Sequence, residues 1–255
     1  MRIERRVGAS VALLGSLLLA VSGAVPALAR SGPAAGLARV TGARFADVAN
    51  ATSTSFGGWT FTPTGALSVT AKFKIPALTC TSTTSGVGPT AVMVTGTTSS
   101  PKFNAAGVLM ECSGGKPAAA PAVVVDGAPT VGSNALFAGD VMKSTIVTSA
   151  TKTTATVADL TTGHTFKLTK SGTGAASLQE LIIDDSLTSG TTQLPVANFG
   201  KVTFSAGAVG GKPLGSVTPA GTAVNMQTST NVLQILTGAL FGIKKNAFTT
   251  TWKHS

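Results

Sequence analysis

Three carboxylates lie close together in the second half of the chain, at Glu180, Asp184 and Asp185. Paired carboxylates serve as the acid and the base in many hydrolases, including most glycosidases. On a strand, Glu180 and Asp184 share a face but stand about 13 Å apart at roughly 3.3 Å per residue, beyond the separations of about 5 to 9.5 Å that glycosidases use. A glycosidase would need a second carboxylate from another strand, such as Asp126 or Glu111, and nothing in the sequence places either one there.

Histidine is too scarce for most other site chemistries. His164 and His254 are the only histidines, and neither has the spacing to acids or cysteines that a metal site or a thiol nucleophile requires. The glycine cluster at 210–211 lacks the following helix of a phosphate-binding loop. We therefore expect neither a metal site of recognisable ligand spacing nor a cofactor, whereas a structural Ca²⁺ ion held by turn carbonyls stays open as an alternative.

The first 29 residues resemble a secretory signal peptide. Arg2, Arg5 and Arg6 give a positive start, an apolar run extends from Val11 to Val21, and Ala27-Leu28-Ala29 is a small-residue cleavage site. We expect the mature chain to begin near residue 30. The apolar run is about half the roughly 20 residues needed to cross a bilayer, and no later segment is long enough, so the mature chain has no predicted membrane span. These features predict a secreted or cell-envelope-associated protein.

Cys80 and Cys112 are the only two cysteines of the chain. Export to an oxidising compartment favours a disulfide between them, with two buried free thiols as the alternative.

The mature chain is basic. Without the signal segment, 16 of the 19 basic and 8 of the 9 acidic residues remain, a net charge near +8. The lysines come singly or in pairs, aromatic residues are sparse and tyrosine is absent, so the sequence lacks the stacking platforms of a nucleic-acid-binding protein. A solvated surface or an attraction to anionic cell-envelope polymers is the expected consequence.

Alternation of apolar and polar residues predicts an all-β fold. Residues 30–54 have no sustained period and suggest a flexible lead-in or a short propeptide, whereas residues 55–255 suit one β domain. Frequent turn signals separate short strands, which is typical of an antiparallel β-sandwich or jelly roll. The alternation is strict in three segments, at 67–75, 166–169 and 201–205.

One segment favours a different interpretation. Val232, Ile235, Leu236, Ala239 and Leu240 have helical spacing, although Gly238 interrupts it, so a short helix is the alternative to a strand here.

Six segments of the sequence, taken in order, are characteristic of a known family. They are Ser55-Phe56-Gly57-Gly58, Phe73-Lys74-Ile75-Pro76, Leu160-Thr161-Thr162-Gly163, Glu180-Leu181-Ile182-Ile183-Asp184, the run from Leu194 to Phe204, and Phe248-Thr249-Thr250-Thr251-Trp252. In this order they resemble segments of the glutamic peptidases, or eqolisins, and in particular their bacterial, signal-bearing branch. The similarity extends from about Ser55 to Lys253 and implies a lectin-like, concanavalin-type outline of two large curved sheets.

The resemblance also implies which residues would be catalytic. In that family a glutamate activates a water, and a glutamine amide holds the water and stabilises the oxyanion. The glutamate position falls on Asp184, one methylene shorter, and the glutamine position falls on Ala105, which has no polar side chain. The aromatic residues that line the family's cleft correspond to the segment from Ala118 to Val125, which contains none.

We therefore expect an exported, monomeric β-sandwich without glutamic peptidase activity, which binds a peptide, a glycan or a cell-envelope polymer and has no specific nucleic-acid partner. The alternative is an acid endopeptidase with an altered dyad of Asp184 and Asn104. In that alternative a strand bulge turns the amide of Asn104 into the place of Ala105.

Overall fold

The computed structural model describes residues 51–54, 56–63, 68–80, 90–98, 103–113, 115–171, 176–184, 188–189, 192–193 and 196–253. The predicted signal segment, residues 30–50, Ser55, Asp185 and His254 lie outside this part of the chain. The described residues are almost entirely strands, and no helix among them is long and apolar enough to cross a membrane.

The strands pair with their neighbours mostly in antiparallel orientation. Their bounds are β1 (Ala51–Ser53), β2 (Phe56–Phe61), β3 (Ser68–Lys74), β4 (Thr90–Thr98), β5 (Phe103–Ser113), β6 (Lys116–Val125), β7 (Ala128–Val131), β8 (Val141–Thr148), β9 (Lys152–Asp159), β10 (Thr165–Ser171), β11 (Ala176–Asp184), β12 (Thr188–Ser189), β13 (Thr192–Gln193), β14 (Lys201–Val209), β15 (Lys212–Pro213), β16 (Thr222–Gln227), β17 (Leu233–Thr237) and β18 (Phe248–Trp252), with a 3₁₀ turn at Leu214–Ser216.

The main strands form two packed layers. A small layer has the order β10-β9-β8-β3-β14, and a large layer has the order β18-β17-β16-β2-β11-β4-β5-β6-β7. Strand β14 belongs to both, because residues 201–204 pair with β18 and residues 205–209 pair with β3. The register shifts between Ser205 and Ala208, and Ala206 has a φ of 49°. Such a bulge bends a strand and allows it to pass from one layer to the other. The predicted sandwich of two mainly antiparallel sheets is therefore confirmed.

The core lies between the layers and follows from the alternation of the strands. In β3, Val69, Ala71 and Phe73 are buried, whereas Lys72 and Lys74 between and after them are exposed. Strand β14 buries Val202 and Phe204 in the same way. In β10, Phe166 and Leu168 are partly buried and alternate with the exposed Lys167 and Thr169. All three predicted strands are thus confirmed, because a period of two gives a half-buried strand one apolar and one wet face.

The segment at 232–240 contains the strand β17 (Leu233–Thr237) and no helix, so the helical alternative is wrong. Residues of β17 pair with β16 on one side and with β18 on the other. Ile235 is buried in the core, and Gly238 donates its N–H to the carbonyl of Thr249 across the sheet. Two neighbouring strands satisfy the backbone groups that a short helix would have to satisfy within itself, so tertiary pairing overrides the local spacing.

Strand β1 lies a few residues before the expected domain boundary at residue 55. Strand β1, at the end of the predicted lead-in, pairs in parallel with β16, with Ala51 opposite Val224 and Ser53 opposite Met226. Ser53 is buried.

The predicted disulfide is confirmed. Cys80, after β3, is bonded to Cys112 near the end of β5, and 32 residues separate them in sequence. The bond therefore ties the connection that leaves the small layer to a central strand of the large layer.

Replacing both cysteines, Cys80→Ser with Cys112→Ser, is expected to lower the free energy of unfolding by about 3 to 4 kcal/mol, because the unfolded chain gains the freedom of a loop of that length. Chemical denaturation of both proteins at equilibrium measures the difference. A loss smaller than about 1 kcal/mol would contradict a stabilising role for the bond.

Candidate functional site

Strand β5 carries the position at which the sequence predicts a lost catalytic amide. Ala106, Val108 and Met110 of this strand lie in the main core between the layers. Ala105 points the other way and is 1% exposed. We call this second side the far face of the large layer; its buried cluster consists of Phe56, Ala91, Met93, Ala105, Val124 and Val224.

Asn104 lies on the core side of β5, opposite in direction to Ala105. It is fully buried, and its Oδ1 accepts a hydrogen bond of 3.0 Å from the backbone N–H of Asp126. Asp126 begins the tight turn between β6 and β7, with a φ of 58°. Within the described residues the buried Nδ2 of Asn104 has no hydrogen-bond partner. The amide of Asn104 therefore holds a hairpin turn.

The pairing of β4 with β5 leaves no place for a bulge beside Asn104. The register runs without a shift from Thr97 opposite Phe103 to Thr90 opposite Met110. Moving β5 by one residue would turn Ala106, Val108 and Met110 out of the core. Each buried valine or methionine side chain is worth about 1.5 to 3 kcal/mol, so the move would cost several kcal/mol.

Asp184 is positioned by the pairing of β11 with both of its neighbours. Its backbone lies opposite Phe56 of β2 on one side and opposite Ala91 of β4 on the other. Residues directly opposite each other share a face of a sheet, so Asp184 occupies a position of the far face.

Ala105 and Asp184 are not directly aligned on that face. Across the sheet, Ala105 lies opposite Thr95, and Thr95 lies opposite Glu180. Asp184 is four residues farther along β11, about 13 Å, and β11 is two strands from β5, about 10 Å. Their backbones are thus about 16 Å apart.

Glu111 is the second carboxylate that the sequence could not place. It lies in β5 at a position that faces the same side as Ala105, two residues beyond Leu109. Leu109 lies opposite Ala91 of β4, and Ala91 lies opposite Asp184 of β11. The backbone of Glu111 is therefore about 12 Å from that of Asp184, two strands away and two residues along. Glu111 is half-buried, and this burial raises the pKa of its carboxyl above the ordinary value of 4.5. Asp126, the other carboxylate considered, lies in the β6–β7 turn.

The strand beside β5 supplies no aromatic side chain to the far face. The segment from Ala118 to Val125 forms most of β6 and consists of alanine, valine and one proline. Its far-face positions are Ala118, Ala120, Ala122 and Val124, of which Ala120 and Val124 are buried.

A separate cavity of about 350 Å³ opens at the edge of the sandwich, lined by His164, Phe137, Phe166 and residues of β6, β8 and β9. Asp159 in its wall accepts hydrogen bonds from the N–H groups of Thr161 and Thr162 and from the Thr162 hydroxyl. Burial alone would raise the pKa of Asp159, but these donors outweigh it and lower the pKa. The carboxylate of Asp140 accepts a hydrogen bond from the backbone N–H of Phe137.

Both carboxylates of this cavity thus hold turns. The described residues contain no group of three or more histidine, cysteine or acidic side chains that could hold a metal ion.

Glu111→Gln is expected to stabilise the protein at neutral pH. The pKa of this carboxyl is higher in the folded than in the unfolded state. The free energy of unfolding therefore falls as the pH rises from the pKa of the unfolded state through the pKa of the folded state. The melting temperature of the variant should therefore exceed that of the parent at about pH 7, and the difference should shrink at about pH 3.5, where the carboxyl is protonated in both states. A pH-independent difference would contradict the burial of this carboxyl.

Comparisons with known proteins agree with this architecture. The family model described as Peptidase A4 family matches residues 54–248. No protein of curated function matches the sequence. Three solved structures share the fold at low sequence identity.

Scytalido-glutamic peptidase with a transition state analog inhibitor is 20% identical, with 78% of this chain and 98% of that chain covered and a TM-score of 0.58. SCP-B, a member of the eqolisin family of peptidases in complex with the tripeptide Ala-Ile-His, is 16% identical, with 78% of this chain and 98% of that chain covered and a TM-score of 0.55. Aspergilloglutamic peptidase from Aspergillus niger is 23% identical over 65% and 99%, with a TM-score of 0.52.

Proposed function

This chain belongs to the Peptidase A4 family, and we propose that it is an exported member that binds its partner without hydrolysing peptide bonds. The observation that carries the proposal is that neither candidate position brings an amide to Asp184. Ala105 presents only a methyl group to the far face, and its backbone is about 16 Å from that of Asp184. The amide of Asn104 is fixed in the core by the N–H of Asp126.

The expected loss of rate is large. Removal of one oxyanion donor typically costs about 100- to 1000-fold. Aspartate in place of glutamate withdraws the carboxylate by about 1.5 Å, which adds a factor of about 100. Together the two changes correspond to a loss of about 10⁴- to 10⁵-fold, which leaves a scaffold and little catalysis.

In this proposal the protein is exported and binds its partner outside the cytoplasm. A signal-like first segment, a disulfide and a basic mature chain support export and attachment to anionic material of the cell envelope. Because the far-face positions of β6 beside Ala105 are alanine and valine, this part of the face offers few anchors for a peptide side chain. This role does not require an oligomer, and we propose that the protein acts as a monomer.

The decisive assay incubates the purified protein with a denatured protein mixture from about pH 2 to pH 7, beside Asp184→Ala and Ala105→Gln. We expect no pepstatin-insensitive cleavage above the level of Asp184→Ala. Ala105→Gln is also expected to be inactive, because a glutamine side chain reaches only about 5 Å and the two backbones are about 16 Å apart. Cleavage by the parent that disappears in Asp184→Ala would overturn the proposal.

A second candidate function is an acid endopeptidase that uses Asp184 with another partner. The observation that favours it is Glu111, a carboxyl of raised pKa on the same face of the large layer. Raised carboxyl pKa values are typical of general acids.

Two further variants identify which side chain acts together with Asp184 in this second candidate. Cleavage that is lost in both Asp184→Ala and Glu111→Gln but kept in Asn104→Ala would support it. Loss in Asn104→Ala with retained stability would favour the Asn104 dyad instead.

A further inference from the structure

The outer face of the small layer carries five exposed lysines from four strands. Because the inward positions of its strands fill the core, the intervening residues all point to solvent. We call the resulting surface the lysine face, defined by Lys72 and Lys74 of β3, Lys143 of β8, Lys152 of β9 and Lys167 of β10.

The positive charge of the lysine face is not offset by acids of the same strands. The sequences of β3, β8, β10 and β14 contain no aspartate or glutamate. Strand β9 contains one, Asp159, which is buried on the other side and engaged in its turn. Over five adjacent strands the outward charges are therefore all positive.

Two of these lysines are placed directly against each other. Lys72 lies opposite Lys143 in the pairing of β3 with β8, and Lys74 follows two residues along the strand, about 7 Å away. Like charges at directly opposed positions of a sheet repel each other and destabilise it. A bound anion would remove this repulsion.

Hydroxyl groups fill the space between the lysines. Thr70 and Thr145 lie on adjacent strands with their Oγ1 atoms 2.8 Å apart, and Thr154 and Thr169 form a similar pair at 3.0 Å. Thr156 and Thr165 are also outward positions of β9 and β10. The face is thus a flat array of cations and hydroxyls, which can bind acidic groups and hydrogen-bond to neutral hydroxyls beside them.

We propose that the lysine face binds an anionic polysaccharide, a polymer that presents negative groups and hydroxyls repeatedly along its length. No aromatic side chain points outward from these five strands, so bases would have nothing to stack on. Val147, about half exposed, is the one large apolar side chain exposed on the described part of this face, so insertion into a lipid surface lacks anchors there.

This inference does not depend on whether the far face hydrolyses peptides, because the two surfaces lie in different layers. The test accordingly measures binding and not cleavage.

The test compares two quadruple variants that lose the same net charge. The first, Lys72→Gln, Lys74→Gln, Lys143→Gln and Lys167→Gln, removes all the charges of the lysine face except that of Lys152. The control, Lys116→Gln, Lys212→Gln, Lys244→Gln and Lys245→Gln, removes exposed lysines elsewhere, including two beside the exposed apolar residues Phe241 and Ile243. The probes are polygalacturonate, heparin, neutral dextran, a random-sequence DNA duplex and phosphatidylglycerol vesicles.

The parent is expected to bind polygalacturonate and heparin, to bind them more weakly as salt screens the charges, and not to bind dextran. The first variant should lose at least about 30-fold in affinity, whereas the control should change less than about threefold. The first variant should also melt no lower than the parent, since the repulsion between Lys72 and Lys143 is gone. Lys143→Glu alone should lose binding in the same direction.

Equal losses in the two quadruple variants would overturn the proposal, because net charge alone would then explain binding. Failure to bind either polysaccharide, or tighter binding to DNA or to vesicles at equal charge concentration, would overturn it as well.

Discussion

The strict alternation of side chains along β5 determines what the candidate site contains. Ala106, Val108 and Met110 must face the core, so residue 105 faces away from it and residue 104 faces into it. The unshifted pairing with β4 keeps this assignment over the whole strand. The identity of two adjacent residues, asparagine inward and alanine outward, therefore decides between a polar and an apolar group on the far face.

The same alternation creates the surface on the opposite side of the molecule. Because Val69, Ala71 and Phe73 fill the core, Lys72 and Lys74 must point to solvent. Strands β8, β9 and β10 repeat this arrangement, and their antiparallel pairing brings lysines together that are up to about 95 residues apart in sequence. One periodicity thus accounts both for an apolar face near Ala105 and for a cationic face on the other layer.

The local pattern of residues in the sequence predicted the sandwich, the alternating strands and the disulfide. Each of these depends on residues close in sequence or on a single pair of cysteines. It did not decide the segment at 232–240, where Ile235 and Leu236 fit either periodicity until β16 and β18 are known as neighbours. Nor did it place Glu111 on the face of Asp184, since that relation requires the register of three strands. The lysine face was missed for the same reason, although the outward parity of lysine in each predicted strand was a usable signal.

The proposed lack of a water-activating pair on the far face can be tested by comparing two ligands: a peptide and its counterpart with a tetrahedral mimic at the scissile bond. Enzymes that stabilise the tetrahedral state bind such mimics at least about 100-fold more tightly than the matching substrate. With a methyl group at position 105 and the amide of Asn104 held by Asp126, the two ligands should bind within about threefold of each other in calorimetry at acidic pH. A preference of about 100-fold or more for the mimic would contradict this.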